Sequence, residues 1–314
     1  MTRKLTEWQE RAVASLDALP QHVFTRQQLS DLLSQKSLDL KTPPTLSTAR
    51  FIQALIDHGK LREVDIPSEP VVRQKKRGAR ANSAHDNALL LASSYRPFHR
   101  YVWGEPSPNE VALSLRKGSY LSHASAVFLH GLTSQIPRTV YANKEQTPKP
   151  VPKSSLIQER IDNAFQAEPR QTQYVFRYRE TRLVLLNGKH TGDLEVSEVA
   201  DAQGTVLRTT KLERTLIDIT VRPTYAGGVF DVLDAYKGAR ERASISVLLA
   251  TLKKIEYVYP YHQAIGFYLE RAGYPPRALD RFASQGTNFD FYLTHKMVKP
   301  LYDNRWRIYY PEGL

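Results

Sequence analysis

Within the first hundred residues, apolar positions recur on a helical period in three stretches. The first runs from Glu7 to Ala18, with Trp8, Ala12, Leu16 and Leu19 on one stripe. Thr6 and Gln9 form a capping box ahead of it, and Pro20 ends it. The second opens at Thr25, where Gln28 completes another box. Phe24 and Leu29 stand at the staple positions, and Leu29, Leu32 and Leu33 face inward. The third follows Pro43 and Pro44, which bar helix before Thr45. Ala49, Ile52, Leu55 and Ile56 make its apolar stripe, and Gly59 can close it in the left-handed conformation. Its other face carries Ser47, Arg50, Gln53 and Asp57. Leu61 to Ile66 then reads as strand, and His99 to Trp103 as its extended counterpart. Asp86 to Ser94 fits helix or strand equally. Three short helices, a strand, a loop and a return strand are the order of a winged helix-turn-helix. Glu105 to Asn109, with two prolines and no period, reads as a linker. The expected domains are therefore 1–106 and 110–314.

The second stretch alternates strands and helices. A helix capped by Ser122 has Ala124, Val127 and Phe128 inside and ends at Gly131. Arg138 to Asn143 reads as strand, and Ser155 to Phe165 as a short helix. Gln173 to Tyr178 and Arg182 to Leu186 read as a hairpin. Glu195 to Val199 and Thr205 to Arg208 read as further strand. Thr210 and Glu213 suggest a third capping box, before a helix that Pro223 ends. Helices near 229–236, 245–254 and 260–272 follow. Phe289 to Leu293 and Arg305 to Tyr310 suggest a closing hairpin. The fold class expected is α+β.

Composition changes this picture in three ways. At 314 residues with 41% hydrophobic and 24% charged, the chain can bury two cores. With no cysteine, disulfides, thiolate metal sites and a thiol nucleophile are excluded. No apolar run reaches the length of a membrane span, and the N-terminus is polar, so a cytoplasmic protein is expected. The net charge of +12 suits a polyanion. Its densest patch is Val71 to Arg80, where Arg73, Lys75, Lys76, Arg77 and Arg80 stand with no acid between them. Ser47, Arg50 and Gln53 are side chains able to read base edges, and the five cations of the arm suit phosphates. Double-stranded DNA is the expected partner.

Catalytic patterns are weak. Gly118-Ser119 lacks the paired carboxylates a nucleotidyltransferase needs after that turn. Asp193 and Glu195, one residue apart, would share a strand side as in a metal-dependent nuclease, but Ser197 stands where a lysine belongs. His123 and His130 are two helical turns apart without an acidic partner in register, which suits packing or capping. His262 lies among Tyr259, Tyr261 and Tyr268, a grouping that could stack bases but is more often core. Gly227-Gly228 is too short for a phosphate loop. The expectation is no enzyme, no cofactor and no metal. The rivals are a metal-dependent DNA nuclease with a winged-helix head and a ligand-sensing transcriptional regulator.

Three segments carry a resemblance: GSYLSHASAVFLHGLTSQIPRTVYANKEQ (Gly118 to Gln146), KLERTLIDITVRPTYAGG (Lys211 to Gly228) and YPYHQAIGFYLERAGY (Tyr259 to Tyr274). In this order, behind a winged helix, they resemble the AbiEi family of antitoxins and transcriptional regulators. These belong to type IV toxin–antitoxin systems, first grouped with phage abortive infection. The resemblance covers most of the chain from Gly118 onward. It implies a larger mixed α/β antitoxin domain behind a head that binds inverted repeats in its own promoter. It also implies a nucleotidyltransferase-type toxin as functional partner, counteracted without a stable complex. No residue roles are carried over from the family.

Overall fold

The structure, a computed structural model, describes residues 5–70, 95–149 and 155–314. Helix α1 (Glu7–Asp17) begins where Thr6 N–H donates to Gln9 Oε1 at 2.8 Å. Strand β1 (Val23–Phe24) leads into α2 (Arg26–Leu40). There Thr25 and Gln28 satisfy each other's backbone N–H at 3.2 and 2.8 Å, as their spacing predicts. Lys41, left-handed at φ 51°, turns the chain toward α3 (Thr48–Asp57).

In α3 the buried side chains are Phe51, Ile52 and Leu55, while Ala49 is exposed. The predicted stripe holds at Ile52 and Leu55 and fails at Ala49. The aromatic ring has far more apolar area to remove from water than a methyl group, so Phe51 takes the inner position, 6.1 Å from Trp8. Strands β2 (Leu61–Ile66) and β3 (Phe98–Trp103) pair antiparallel from Leu61↔Trp103 to Ile66↔Phe98, and β1 lies on the other edge of β3.

The presumed linker enters a helix, α4 (Pro108–Ser114). Ser107 and Glu110 form a capping box at 3.3 and 2.7 Å, with Pro108 at the first helical position. Buried Arg100 of β3 donates to the carbonyls of Ser114 and Leu115 and so closes the other end of α4. Two compact units result: Met1–Lys117 with Gln173–Val184, and Gly118–Thr172 with Leu185–Leu314. The first thus runs past residue 106 and takes in a later piece of chain.

In the second unit, β4 (Tyr120–Leu121), α5 (His123–Leu129), β5 (Thr139–Asn143) and α6 (Gln158–Gln166) come first. The chain then returns to the first unit with the hairpin β6 (Val175–Tyr178) and β7 (Thr181–Leu186), turning at left-handed Arg179 as the pattern suggests. Residues 67–69 add to it: Arg177 N–H donates to Pro67 O at 3.0 Å and Glu69 N–H to Val175 O at 2.8 Å. Glu69 also pairs with Arg177 (2.7 Å) and Arg182 (2.9 Å).

Strands β8 (Val196–Ala200) and β9 (Val206–Thr210) complete the second unit's sheet, ordered β5-β4-β9-β8, with β4 and β9 parallel. Helix α7 (Leu212–Val221) has Lys211 as its N-cap, without a Thr210–Glu213 box. Thr210 Oγ1 bonds Thr215 Oγ1, and the Glu213 carboxylate accepts from Ser244 N–H at 2.7 Å. A helical layer follows: α8 (Val229–Ala239), α9 (Ile245–Ile255), α10 (Tyr261–Arg271) and α11 (Pro276–Ala283). Leu216, Tyr236, Leu248, Ile265, Phe267 and Phe282 are its buried centre.

The chain closes with β10 (Phe291–Tyr292), β11 (Leu301–Asp303) and β12 (Ile308–Tyr310). The expected closing hairpin is corrected here: β10 runs parallel to β12, and the antiparallel partner of β12 is β11. Trp306, fully buried, packs on Gly266 so closely that a Cβ there would stand 2.1 Å from the ring. The whole is α+β. No helix among the described residues is long and apolar enough to cross a membrane.

Candidate nucleic-acid interface

Helix α3 is held by its apolar side and by a Ser30 Oγ to Thr48 Oγ1 contact of 3.0 Å from α2. That leaves Ser47, Arg50, Gln53 and Asp57 on one exposed face, as the helical period predicts. Their chemistry is unequal. Ser47 is the N-cap, its hydroxyl accepting from Arg50 N–H at 3.3 Å. Gln53 Nε2–H donates to Asp57 Oδ1 at 2.8 Å. Arg50 has no side-chain partner among the described residues, so its guanidinium is available in full. Arg73, Lys75, Lys76, Arg77 and Arg80 lie outside the described residues.

Charge on the described part of this unit is modest. Residues 5–70 hold seven Lys or Arg against nine Asp or Glu, and residues 95–117 with 173–184 add seven against three. Of those cations, Arg11 and Lys41 pair with Glu7, Lys60 with Asp17, and Arg62 with Glu105. On the outer face of β2 and β3, His99 stands between Asp65 (2.7 Å) and Glu63 (3.4 Å). The Asp65 hydrogen bond, with Glu63 adding to it, raises the imidazole pKa above its ordinary value.

The polar centre of the second unit is one that no sequence signal announces. The carboxylate of Glu145 accepts backbone N–H groups of Thr191 (2.7 Å), Gly192 (2.9 Å) and Asp193 (3.4 Å), together with the Tyr120 hydroxyl (3.1 Å). Burial pushes its pKa up. The Thr191 hydroxyl, the backbone N–H groups and Tyr120 outweigh that and hold it below the usual range. Arg214 and Asp218, both buried on α7, pair at 2.8 Å. Arg214 also reaches Leu194 O at 3.0 Å, fixing the same loop to the helix.

The other candidates fall apart as chemistry. Asp193 and Glu195 do not share a strand. Both are left-handed, at φ 56° and 53°, in the turn before β8, where they pair with Arg208 (2.8 Å) and Lys211 (3.0 Å). No group of three His, Asp or Glu among the described residues is placed to hold a metal. His123 is buried against Tyr225, and His130 donates Nε2–H to Thr210 O at 2.7 Å; both act in packing and capping. Tyr268 is core, but Tyr259, Tyr261 and His262 line a cleft.

No protein-family model matches the chain, and no curated protein does. Among solved structures, the crystal structure of the RV2827C protein from Mycobacterium tuberculosis is similar, with a TM-score of 0.54 at 15% identity over 98% of this chain and 92% of that one. At that identity the likeness is one of fold.

Proposed function

We propose that the chain is a DNA-binding autorepressor and antitoxin of a type IV, AbiE-like phage-defence system. In this reading its first unit is a winged helix-turn-helix that grips inverted repeats in the promoter of its own operon. Its second unit counteracts a nucleotidyltransferase-type toxin in the cytoplasm. The observation that carries the DNA reading is the face of α3: one unpartnered arginine flanked by exposed Ser47 and Gln53, on a helix whose other side is committed to the core. A side-chain fork of this kind can bond a guanine edge bidentately. The β2–β3 pair beside it matches the wing in connectivity, and the cationic stretch 71–80 falls between those two strands. The antitoxin half rests on the AbiEi resemblance of the three segments named above.

The test is a titration of promoter and random duplex. Arg50→Ala should weaken promoter binding by about 1–3 kcal/mol and leave random DNA nearly unchanged, whereas Lys76→Ala should weaken both alike. Unchanged promoter preference in Arg50→Ala would remove the reader-helix assignment. Co-expression with the adjacent gene tests the other half. Rescue of growth should survive Arg50→Ala, and an adjacent gene that encodes no nucleotidyltransferase would sink the antitoxin reading.

A further inference from the structure

Tyr257, Tyr259 and Tyr261 follow one another at a spacing of two, between α9 and the start of α10. All three line a cleft of about 260 Å³, and a second of about 200 Å³ beside Gln263 shares Tyr257, Tyr259, His262 and Gln285 with it. Each is smaller than the usual ligand pocket of about 300–1,000 Å³, which suits one base rather than a whole nucleotide. The rings stand edge to face, Tyr257 to Tyr261 at 5.2 Å and Tyr259 to Tyr261 at 6.2 Å.

Hydrogen-bonding capacity is left over here to an unusual degree. Among the described residues, none of the three tyrosine hydroxyls has a partner. His262 commits Nε2–H to Gly286 O at 2.6 Å, and burial keeps the ring neutral, so Nδ1 is an acceptor. Gln263, fully buried, donates both amide hydrogens, to Phe289 O (2.8 Å) and Trp306 O (2.7 Å). Flipping the amide would set its oxygen against two carbonyls, so the orientation is fixed, and Oε1 has no donor. Phenylalanines would pack these walls as well as tyrosines do. An orphaned buried acceptor calls for a donor that the chain does not supply.

Aromatic edges and faces, acceptors on the neighbouring residues His262 and Gln263, and three hydroxyls that can donate or accept suit a planar heterocycle with N–H donors along one edge. We infer that this cleft binds a purine base, presented either by a free nucleotide or by single-stranded RNA. Lys253 stands at the rim for a phosphate, but Glu256 stands there too, so the base carries the recognition.

The inference is independent of the DNA reading, and its test keeps the two apart. The full-length chain is titrated calorimetrically with AMP, GMP, CMP and UMP. Full-length Lys75→Ala/Lys76→Ala/Arg77→Ala, which removes three of the arm's five cations, is titrated with a purine-rich RNA oligonucleotide. Saturable binding with purines preferred is expected. Tyr257→Phe/Tyr261→Phe keeps the rings and should weaken it about tenfold, each lost hydroxyl being worth a few-fold. If that pair lowers the melting temperature, Tyr259→Phe supplies the same readout. Binding of mononucleotides identifies a metabolite as the source, and binding of the oligonucleotide alone identifies RNA. No saturation by either near about 1 mM, or binding indifferent both to base type and to the hydroxyls, overturns the proposal.

Discussion

Replacing His123 with asparagine should flatten the acid limb of the stability curve. The imidazole is 8% exposed at the corner between β4 and α5. Its Nδ1 lies 2.9 Å from Ser122 Oγ, and its ring is edge-on to Tyr225 at 5.5 Å. Burial, then the charges of Arg222 and Arg214, lowers its pKa from 6.5 to about 3. The unfolded chain keeps the ordinary value. Between the two values the unfolded state takes up a proton that the folded state refuses. Stability is therefore fully present above 6.5 and falls as pH drops toward 3, by about 1.4 kcal/mol per pH unit. At about pH 5 the loss relative to pH 7.5 is about 2 kcal/mol. Asparagine tolerates the left-handed backbone at this position, φ 51°, and does not titrate. Urea unfolding of both proteins at the two pH values isolates the effect, because the carboxylates titrate in both and cancel in the difference. The wild type should lose about 2 kcal/mol more than His123→Asn on acidification. Parallel losses would show that the folded corner accepts the proton, and the argument from burial would fail.

Ser47→Ala removes the N-cap of α3 and should lower stability by about 1 kcal/mol in thermal unfolding, apart from any loss of DNA affinity. Gly266→Ala gains about 1 kcal/mol of helix propensity. It also sets a methyl group 2.1 Å from the buried Trp306 ring, an overpacking worth about 1–3 kcal/mol or more, so denaturant titration should show net destabilisation. Glu145→Gln leaves N–H groups of the 191–193 turn without an anionic acceptor and should cost about 1–3 kcal/mol at neutral pH. In the wild type that contribution is present above the unfolded value of 4.5 and is lost as pH falls through the lower folded one.

Local signals were legible and distant pairings were not. The boxes at Thr6 and Thr25, the β6–β7 hairpin and the outer face of α3 can be read directly, because each rests on residues within one or two turns of one another. The α4 box at Ser107 and Glu110 is just as local. Two prolines masked it, although Pro108 at the first helical position is a helix signal rather than a break. In α3 the period, the outer face and the inner Ile52 and Leu55 were right, and only Ala49 was misplaced, because Phe51 takes the interior instead. The parallel β10–β12 pairing, the carboxylate of Glu145 within the 191–193 turn and the cleft at Gln263 join residues far apart in sequence. No spacing rule reaches them. The acids Asp193 and Glu195 misled for a related reason: alternation presumes a strand, and the chain turns there instead.

The charge distribution determines where a DNA grip by the first unit must come from. Residues 5–70 hold more acids than cations, and four of their seven cations are already paired. A helix face with one free arginine can discriminate bases, yet it cannot neutralise enough phosphates to hold a duplex at physiological salt. On the proposed reading, the missing counterion release falls to Arg73, Lys75, Lys76, Arg77 and Arg80. Each neutralised phosphate contributes about 0.9 to the slope of log K against log salt. Lys75→Ala/Lys76→Ala/Arg77→Ala should therefore make that slope shallower by about 3 while leaving the ratio of promoter to random affinity near its wild-type value. Arg50→Ala should do the reverse, collapsing the ratio with a change of about one or less in slope. Fluorescence anisotropy across a salt series on both duplexes separates the two signatures. A triple variant with the wild-type slope would mean that the arm does not touch phosphate. Any grip on phosphate would then have to come from the first unit's other cations, and the proposed role of the arm would fail.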